Sequence, residues 1–163
     1  LAGREHSARA AAGRHRRGQR PAARPLRHRP EGLTMTFTAA EQDFLLAQPI
    51  GRLSTVGPGG QPQIRPVGIH LGPGGTIDIV GHALAATQKW RNVIADPKVA
   101  FIVDEVQSVM PPRAQGIEIR GTAQALPGAG STDGGLTGDI IRITPTRIIA
   151  WGIDAEGTRA RNV

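Results

Sequence analysis

Thr76-Ile-Asp-Ile-Val-Gly-His82, Ala83-Leu-Ala-Ala-Thr87-Gln-Lys89-Trp-Arg91-Asn92-Val93 and Asp96-Pro97-Lys98-Val-Ala-Phe-Ile-Val-Asp104 follow one another in the middle of the chain. They read as a strand over 76–81, a small-residue turn, a basic helix over 87–95, a proline stop and a strand over 98–106. A helix start leaves several backbone N–H groups unpaired and carries a partial positive charge. Thr87 and Lys89 at such a start make a seat for a phosphate.

Upstream, Thr38-Ala-Ala-Glu41 is a capping-box pattern that opens a helix over 38–47, and Pro49 ends it. Gly51–Val56 reads as a strand, Gly57-Pro-Gly-Gly60 as a turn and Gln63–Leu71 as the return strand. Pro66 in that strand marks an edge, a bulge or an opening of the ladder. Gly72-Pro-Gly-Gly75 is a second turn, so the first three strands read as a meander. Downstream, Met110-Pro-Pro-Arg113 is a loop. Ile117 and Ile119 alternate with Glu118 and Arg120 in a half-buried strand. The Gly/Ser/Thr-rich stretch 127–138 reads as a loose loop, followed by strands over 139–144 and 147–153. Six or seven strands with short helices predict a mainly β fold, an antiparallel barrel closed fully or in part.

Charge divides the 163 residues sharply. Residues 1–34 contain nine Arg and two Glu, whereas residues 35–163 contain eleven basic and eleven acidic residues. The whole formal excess of +7 therefore lies in the first segment, which lacks hydrophobic periodicity. Such a composition cannot bury enough apolar surface to offset ordering entropy. An Arg-rich arm for nucleic acid and a targeting peptide are two readings of it. We expect instead a disordered extension upstream of a start at Met35, with one folded domain over 35–163 and no nucleic-acid role. No apolar run reaches membrane-spanning length, and no apolar segment follows the basic residues as in a secretory signal. The expectation is a cytoplasmic protein without a membrane partner.

The chemistry available is narrow. Absence of Cys removes disulfides, thiolate metal sites and a Cys nucleophile. His70 and His82 are the only histidines after residue 34, and no Gly-x-Ser-x-Gly elbow or metal-ligand spacing occurs. What remains is the cradle around Lys89, whose alternative is a solvated helix face in which Lys89, Arg91 and Lys98 are surface charges. The shortness of the helix, its small-residue approach and a lone Arg65 beside Pro66 favour an anion site. His82 either stacks on a ring or closes the strand end by a hydrogen bond.

Gly51-Arg-Leu-Ser-Thr-Val56, Pro62-Gln-Ile-Arg-Pro-Val-Gly68, Ile77-Asp-Ile-Val-Gly-His82, Thr87-Gln-Lys-Trp-Arg-Asn-Val93, Asp96-Pro-Lys-Val-Ala-Phe101 and Gly116-Ile-Glu-Ile-Arg-Gly121 together carry a resemblance. In order and spacing they resemble the pyridoxamine 5′-phosphate oxidase-like flavin-binding split-barrel family, and within it the actinobacterial F-420 (deazaflavin)-dependent oxidoreductases. The resemblance spans nearly all of 37–163. It implies a split β-barrel homodimer with a phosphorylated cofactor in a groove between subunits, coenzyme F-420 or alternatively FMN. It implies that Arg65, Pro66, Val67 and Gly68 on one strand, with His82 and with Thr87, Gln88 and Lys89 at the helix start, hold that cofactor. It further implies hydride transfer to a small unsaturated molecule. The alternatives are a non-catalytic flavin- or haem-related binding protein and an FMN-dependent pyridoxamine phosphate oxidase-like enzyme. The FMN oxidases carry an Arg–Lys pair where this chain has Gln88-Lys89, and Ala83 stands where Asn is usual.

Overall fold

The computed structural model describes residues 36–154 and 157–163. The basic segment 1–34 and the expectations about it lie outside the described residues.

Thr38 caps helix α1 (Ala39–Ala47) as the capping box requires: its Oγ1 accepts from Glu41 N at 3.2 Å, and its own N–H donates to Glu41 Oε2 at 2.9 Å. Phe44 and Leu45 on this helix are buried against the sheet core. Strands β1 (Ile50–Val56) and β2 (Pro62–Gly68) form a hairpin around the Gly57–Gly60 turn. Strands β3 (His70–Leu71) and β4 (Ile77–Val80) form another around Gly72–Gly75. Helix α2 (Gln88–Ala95) follows, then β5 (Lys98–Val109), β6 (Pro112–Leu126), β7 (Ile140–Trp151) and β8 (Thr158–Asn162).

The strand order is β2-β1-β5-β6-β7-β4-β3, with β8 also on β7, and every pairing is antiparallel. The two margins of this order, β2 and β3, are consecutive in the chain and separated only by Ile69. One extended run, 62–71, therefore serves both edges and bends the sheet into a barrel. Both hairpins of the meander expected for the first three strands are present, with one change. The return strand is interrupted at Ile69, and its halves pair at opposite ends of the sheet. Pro66 sits in β2 at the margin, where a missing N–H costs no ladder bond.

Alternation along the strands fills the interior. Leu53, Phe101, Ile117, Ile119, Ile141, Ile143 and Ile148 are fully buried, joined by Ile77 and Ile79 of β4. Each such side chain contributes roughly 1.5–3 kcal/mol on burial. Trp90 and Val93 bring α2 onto this core. On the other face of β4, buried Asp78 receives two guanidinium bonds from Arg142, both 2.8 Å long.

Three further expectations are corrected. The strands expected over 139–144 and 147–153 are one strand, β7, running through Pro145. Its register against β6 steps from Arg147↔Arg120 to Pro145↔Gly121, so Thr146 is an extra residue, and its hydroxyl donates to Arg120 O at 3.1 Å. At this bulge the outer edge of β7 changes partner, from β4 along Ile140–Ile143 to β8 along Arg147–Trp151. Pro145 thus stands where no outer ladder bond is needed. Second, the fold has an eighth strand, β8, held to α1 by Arg161 Nη1–Glu41 Oε1 at 2.6 Å. Third, the 127–138 stretch is tied down: Ser131 and Thr137 bond to Asp133 and Asp139, and the Thr137 hydroxyl also donates to Gly81 O.

Gly121 is obligatory at the bulge, because a Cβ there would lie 2.0 Å from the backbone oxygen of Thr144. Gly121→Ala is expected to destabilise the domain by about 1–3 kcal/mol, the usual cost of overpacking. The check is a lowered denaturant midpoint at unchanged slope.

Candidate cofactor-binding site

The start of α2 and the outer strand β2 face each other across a cavity of about 270 Å³. Arg65 and Pro66 line it from β2, Thr87, Gln88 and Lys89 from the helix start, and Thr55 and Gln63 from the β1–β2 hairpin. The local chemistry explains the arrangement. Thr87 is the N-cap: its hydroxyl accepts from Trp90 N at 3.4 Å and donates to Leu84 O at 2.6 Å. Gln88 and Lys89, the first two helical residues, therefore present backbone N–H groups outside the intrahelical ladder.

No carboxylate lines the cavity, and among the described residues neither Arg65 nor Lys89 is in an ion pair. Burial, and then the nearby Arg65 guanidinium, hold the Lys89 ammonium below the ordinary lysine pKa. Two cations and a helix start thus converge on one space with no counter-charge, which is an unsatisfied demand for an anion.

Beneath the cavity lies a buried polar network. Asn92, 2% exposed, donates through Nδ2 to Thr55 Oγ1 at 2.9 Å and to Gln63 Oε1 at 3.0 Å. Its Oδ1 accepts from Gln88 Nε2 at 2.7 Å. Gln88 Oε1 in turn accepts from Arg91 Nη2 at 2.8 Å, and Arg91 Nη1 also donates to Ala86 O at 3.0 Å.

Of the residues expected from the sequence, Arg65, Pro66, Thr87, Gln88 and Lys89 are brought together. Val67 turns its side chain into the core, leaving only its backbone to face a ligand, and Gly68 is exposed beyond the cavity. His82 is not among the lining residues. It stands at the end of β4 with Nδ1 2.9 Å from Gly135 O, the strand-closing arrangement. Thr55, Gln63 and the bridging role of Asn92 were not read from the sequence. Two signals for them existed: Thr55 and Gln63 are cross-strand partners, and Asn92 lies one helical turn after Gln88.

Comparison with known proteins places the chain in a family. Residues 37–152 match the family model described as pyridoxamine 5′-phosphate oxidase, and the chain belongs to that family. It is 41% identical over 134 residues to a 5a,11a-dehydrotetracycline/5a,11a-dehydrooxytetracycline reductase of Streptomyces rimosus, covering 79% of this chain and 94% of the relative. Among solved structures it is similar in fold to the conserved hypothetical protein Rv2991 of Mycobacterium tuberculosis, with a TM-score of 0.57 and 22% identity over 71% of this chain and 84% of the other. It is also similar in fold to an F420 reductase, with a TM-score of 0.50 and 24% identity over 73% of this chain and 97% of that one. The expected split barrel is therefore the fold observed. Among the described residues no helix is long and apolar enough to cross a membrane.

The depressed pKa of Lys89 sets a pH dependence. An anion favours the ammonium, so binding raises the Lys89 pKa and takes up a proton wherever the free protein has lost it. Affinity for a phosphorylated ligand is expected to hold while Lys89 is charged and to fall as pH rises through its free-protein pKa. That fall begins at lower pH than for an ordinary lysine. Titration calorimetry across the alkaline range checks this, with Lys89→Arg expected to abolish the fall.

Proposed function

We propose that the protein is an oxidoreductase that binds coenzyme F-420, with FMN as the alternative, and reduces a small unsaturated molecule. The observation that carries this reading is the convergence of Arg65, Lys89 and the α2 start on a cavity without a carboxylate. Family membership and the 41% identical reductase, whose name gives a dehydrogenated tetracycline as substrate, support the oxidoreductase class. The cavity suits the phosphate of a larger molecule, because it is small, at about 270 Å³, and sets two cations beside the flat face of Pro66. When bound, the cofactor would supply the hydride, and the chain's part is to seat, orient and shield it. Lys89 and Arg65 would hold the phosphate, with the Gln88 and Lys89 N–H groups completing the seat. The backbone from Pro66 to Gly68 would carry the ring.

We also propose a homodimer. Val109 and Met110 at the tip of the β5–β6 ribbon are 80% and 86% exposed, and Ile50 and Ile64 are exposed on the β1–β2 hairpin. Pairing of two copies covers such surface, with an expected interface above roughly 1,000 Å². Sedimentation is expected to give a dimer at micromolar concentration, and a monomer there overturns the proposal.

The test of function begins with binding titrations against F-420 and FMN, followed by a screen for substrate-dependent oxidation of the reduced cofactor. Lys89→Ala removes a charge-assisted hydrogen bond worth roughly 1.5–3 kcal/mol, so affinity is expected to drop about ten- to a hundredfold. Arg113→Ala, on the exposed ribbon, is expected to leave it unchanged. Equal affinity for wild type and Lys89→Ala would assign Lys89 to an ordinary solvated helix face. Binding without turnover against any acceptor would favour a non-catalytic carrier on the same barrel.

A further inference from the structure

Asn92 is an unusual residue for its place. It sits inside an eight-residue helix, is 2% exposed, and is a poorer helix former than the Leu or Ala that would pack there. Its amide is nonetheless fully used, by Thr55 of β1, Gln63 of β2 and Gln88 at the helix start. These three elements carry the walls of the cofactor cradle. Lys89 follows Gln88 directly. Arg65 lies two residues beyond Gln63, and so on the same face of β2. A single buried side chain therefore fixes how far the helix bearing one cation stands from the strand bearing the other. The two cations repel each other, so that distance is not self-maintaining.

A second feature serves the same arrangement. A Cβ on Gly57 would lie 2.4 Å from Gln63 Nε2, so the Gln63 amide occupies the space that any other residue at 57 would fill. The backbone of Gly57, with φ of −85°, is open to alanine, so the glycine answers first to the Gln63 side chain, with Gln61 O of the turn a more distant neighbour at 3.1 Å.

We propose that Asn92 is a positioning residue of the cofactor cradle: seated through Gln63 and Gln88, it holds the start of α2 and strand β2 at the separation that a cofactor phosphate bridges. The inference rests on the cofactor reading given above. Asn92 touches no part of a ligand in this scheme and acts through its partners. Removing it leaves the Thr55, Gln63 and Gln88 side chains without their shared partner and lets the two cations move apart.

The test compares each phosphorylated cofactor with its phosphate-free counterpart, FMN with riboflavin and F-420 with its phosphate-free deazaflavin chromophore. The readout is the ratio of the two affinities. Asn92→Ala and Gly57→Ala are each expected to lower that ratio about fivefold or more, the equivalent of one ordinary hydrogen bond. Gln63→Ala combined with Asn92→Ala is expected to lower it no further than Asn92→Ala alone. A purely structural Asn92 would weaken both members of a pair equally and leave the ratio unmoved, and that result overturns the proposal, as does additivity in the double variant. If Asn92→Ala fails to fold, Gly57→Ala decides. Lys89→Ala separates the two readings. If it collapses the ratio while Asn92→Ala and Gly57→Ala do not, only the positioning role falls. If it too leaves the ratio intact, or if neither cofactor binds, the cradle falls with it.

Discussion

The fold depends on one constraint: a single extended run, 62–71, must satisfy both margins of the sheet. An antiparallel sheet left open exposes two rows of unpaired backbone groups. Here the chain bends at Ile69, pairs with β1 before the bend and with β4 after it, and so joins the two margins to each other. The same bend sets the orientation of β2, and with it the direction in which Arg65 and Pro66 face. The site is therefore a by-product of closure, built where the closing strand passes the start of α2.

Electrostatics then separates this region from the rest of the surface. Elsewhere four arginines are matched by acids: Arg142 with Asp78, Arg161 with Glu41, Arg52 with Asp104 and Arg120 with Glu118. At the cradle the neighbouring Arg65 and Lys89 have no acid between them, and burial, followed by the Arg65 guanidinium, holds the Lys89 ammonium below the ordinary lysine range. An unmatched pair of this kind is destabilising in the free protein. This pair, set at a helix start in a cavity without a carboxylate, is what the proposed phosphate seat rests on.

The sequence made local features plain and non-local ones obscure. The capping box at Thr38, both glycine turns, α2 and the Ile117/Ile119 alternation were all legible, because a few neighbouring residues decide them. Strand partners were not legible: β1 lies beside β5 through closure over a long intervening segment. Strand β8 is polar and exposed along most of its length, so it carries no periodicity, and it is defined by β7, Glu41 and the Thr36 carbonyl. Pro145 reads locally as a break and is tolerated because β7 changes partner there. In the site, the charged and capping residues announced themselves. Thr55, Gln63 and Asn92 did not, since a polar residue reveals its burial only when its partners are in place.

The tie between the first helix and the last strand has a topological consequence. Arg161 bonds both Glu41 and the carbonyl oxygen of Thr36, so the last strand holds the segment that leads into the first helix. Within 36–163 the earliest and latest segments are thus tied to each other by side chains rather than by sequence. A permuted form of 36–163 that links those two segments and opens at the exposed tip around Met110, where no core residue stands, follows from this tie. Such a rearranged chain would keep every strand pairing and the whole cradle, because neither depends on the order in which the segments are made.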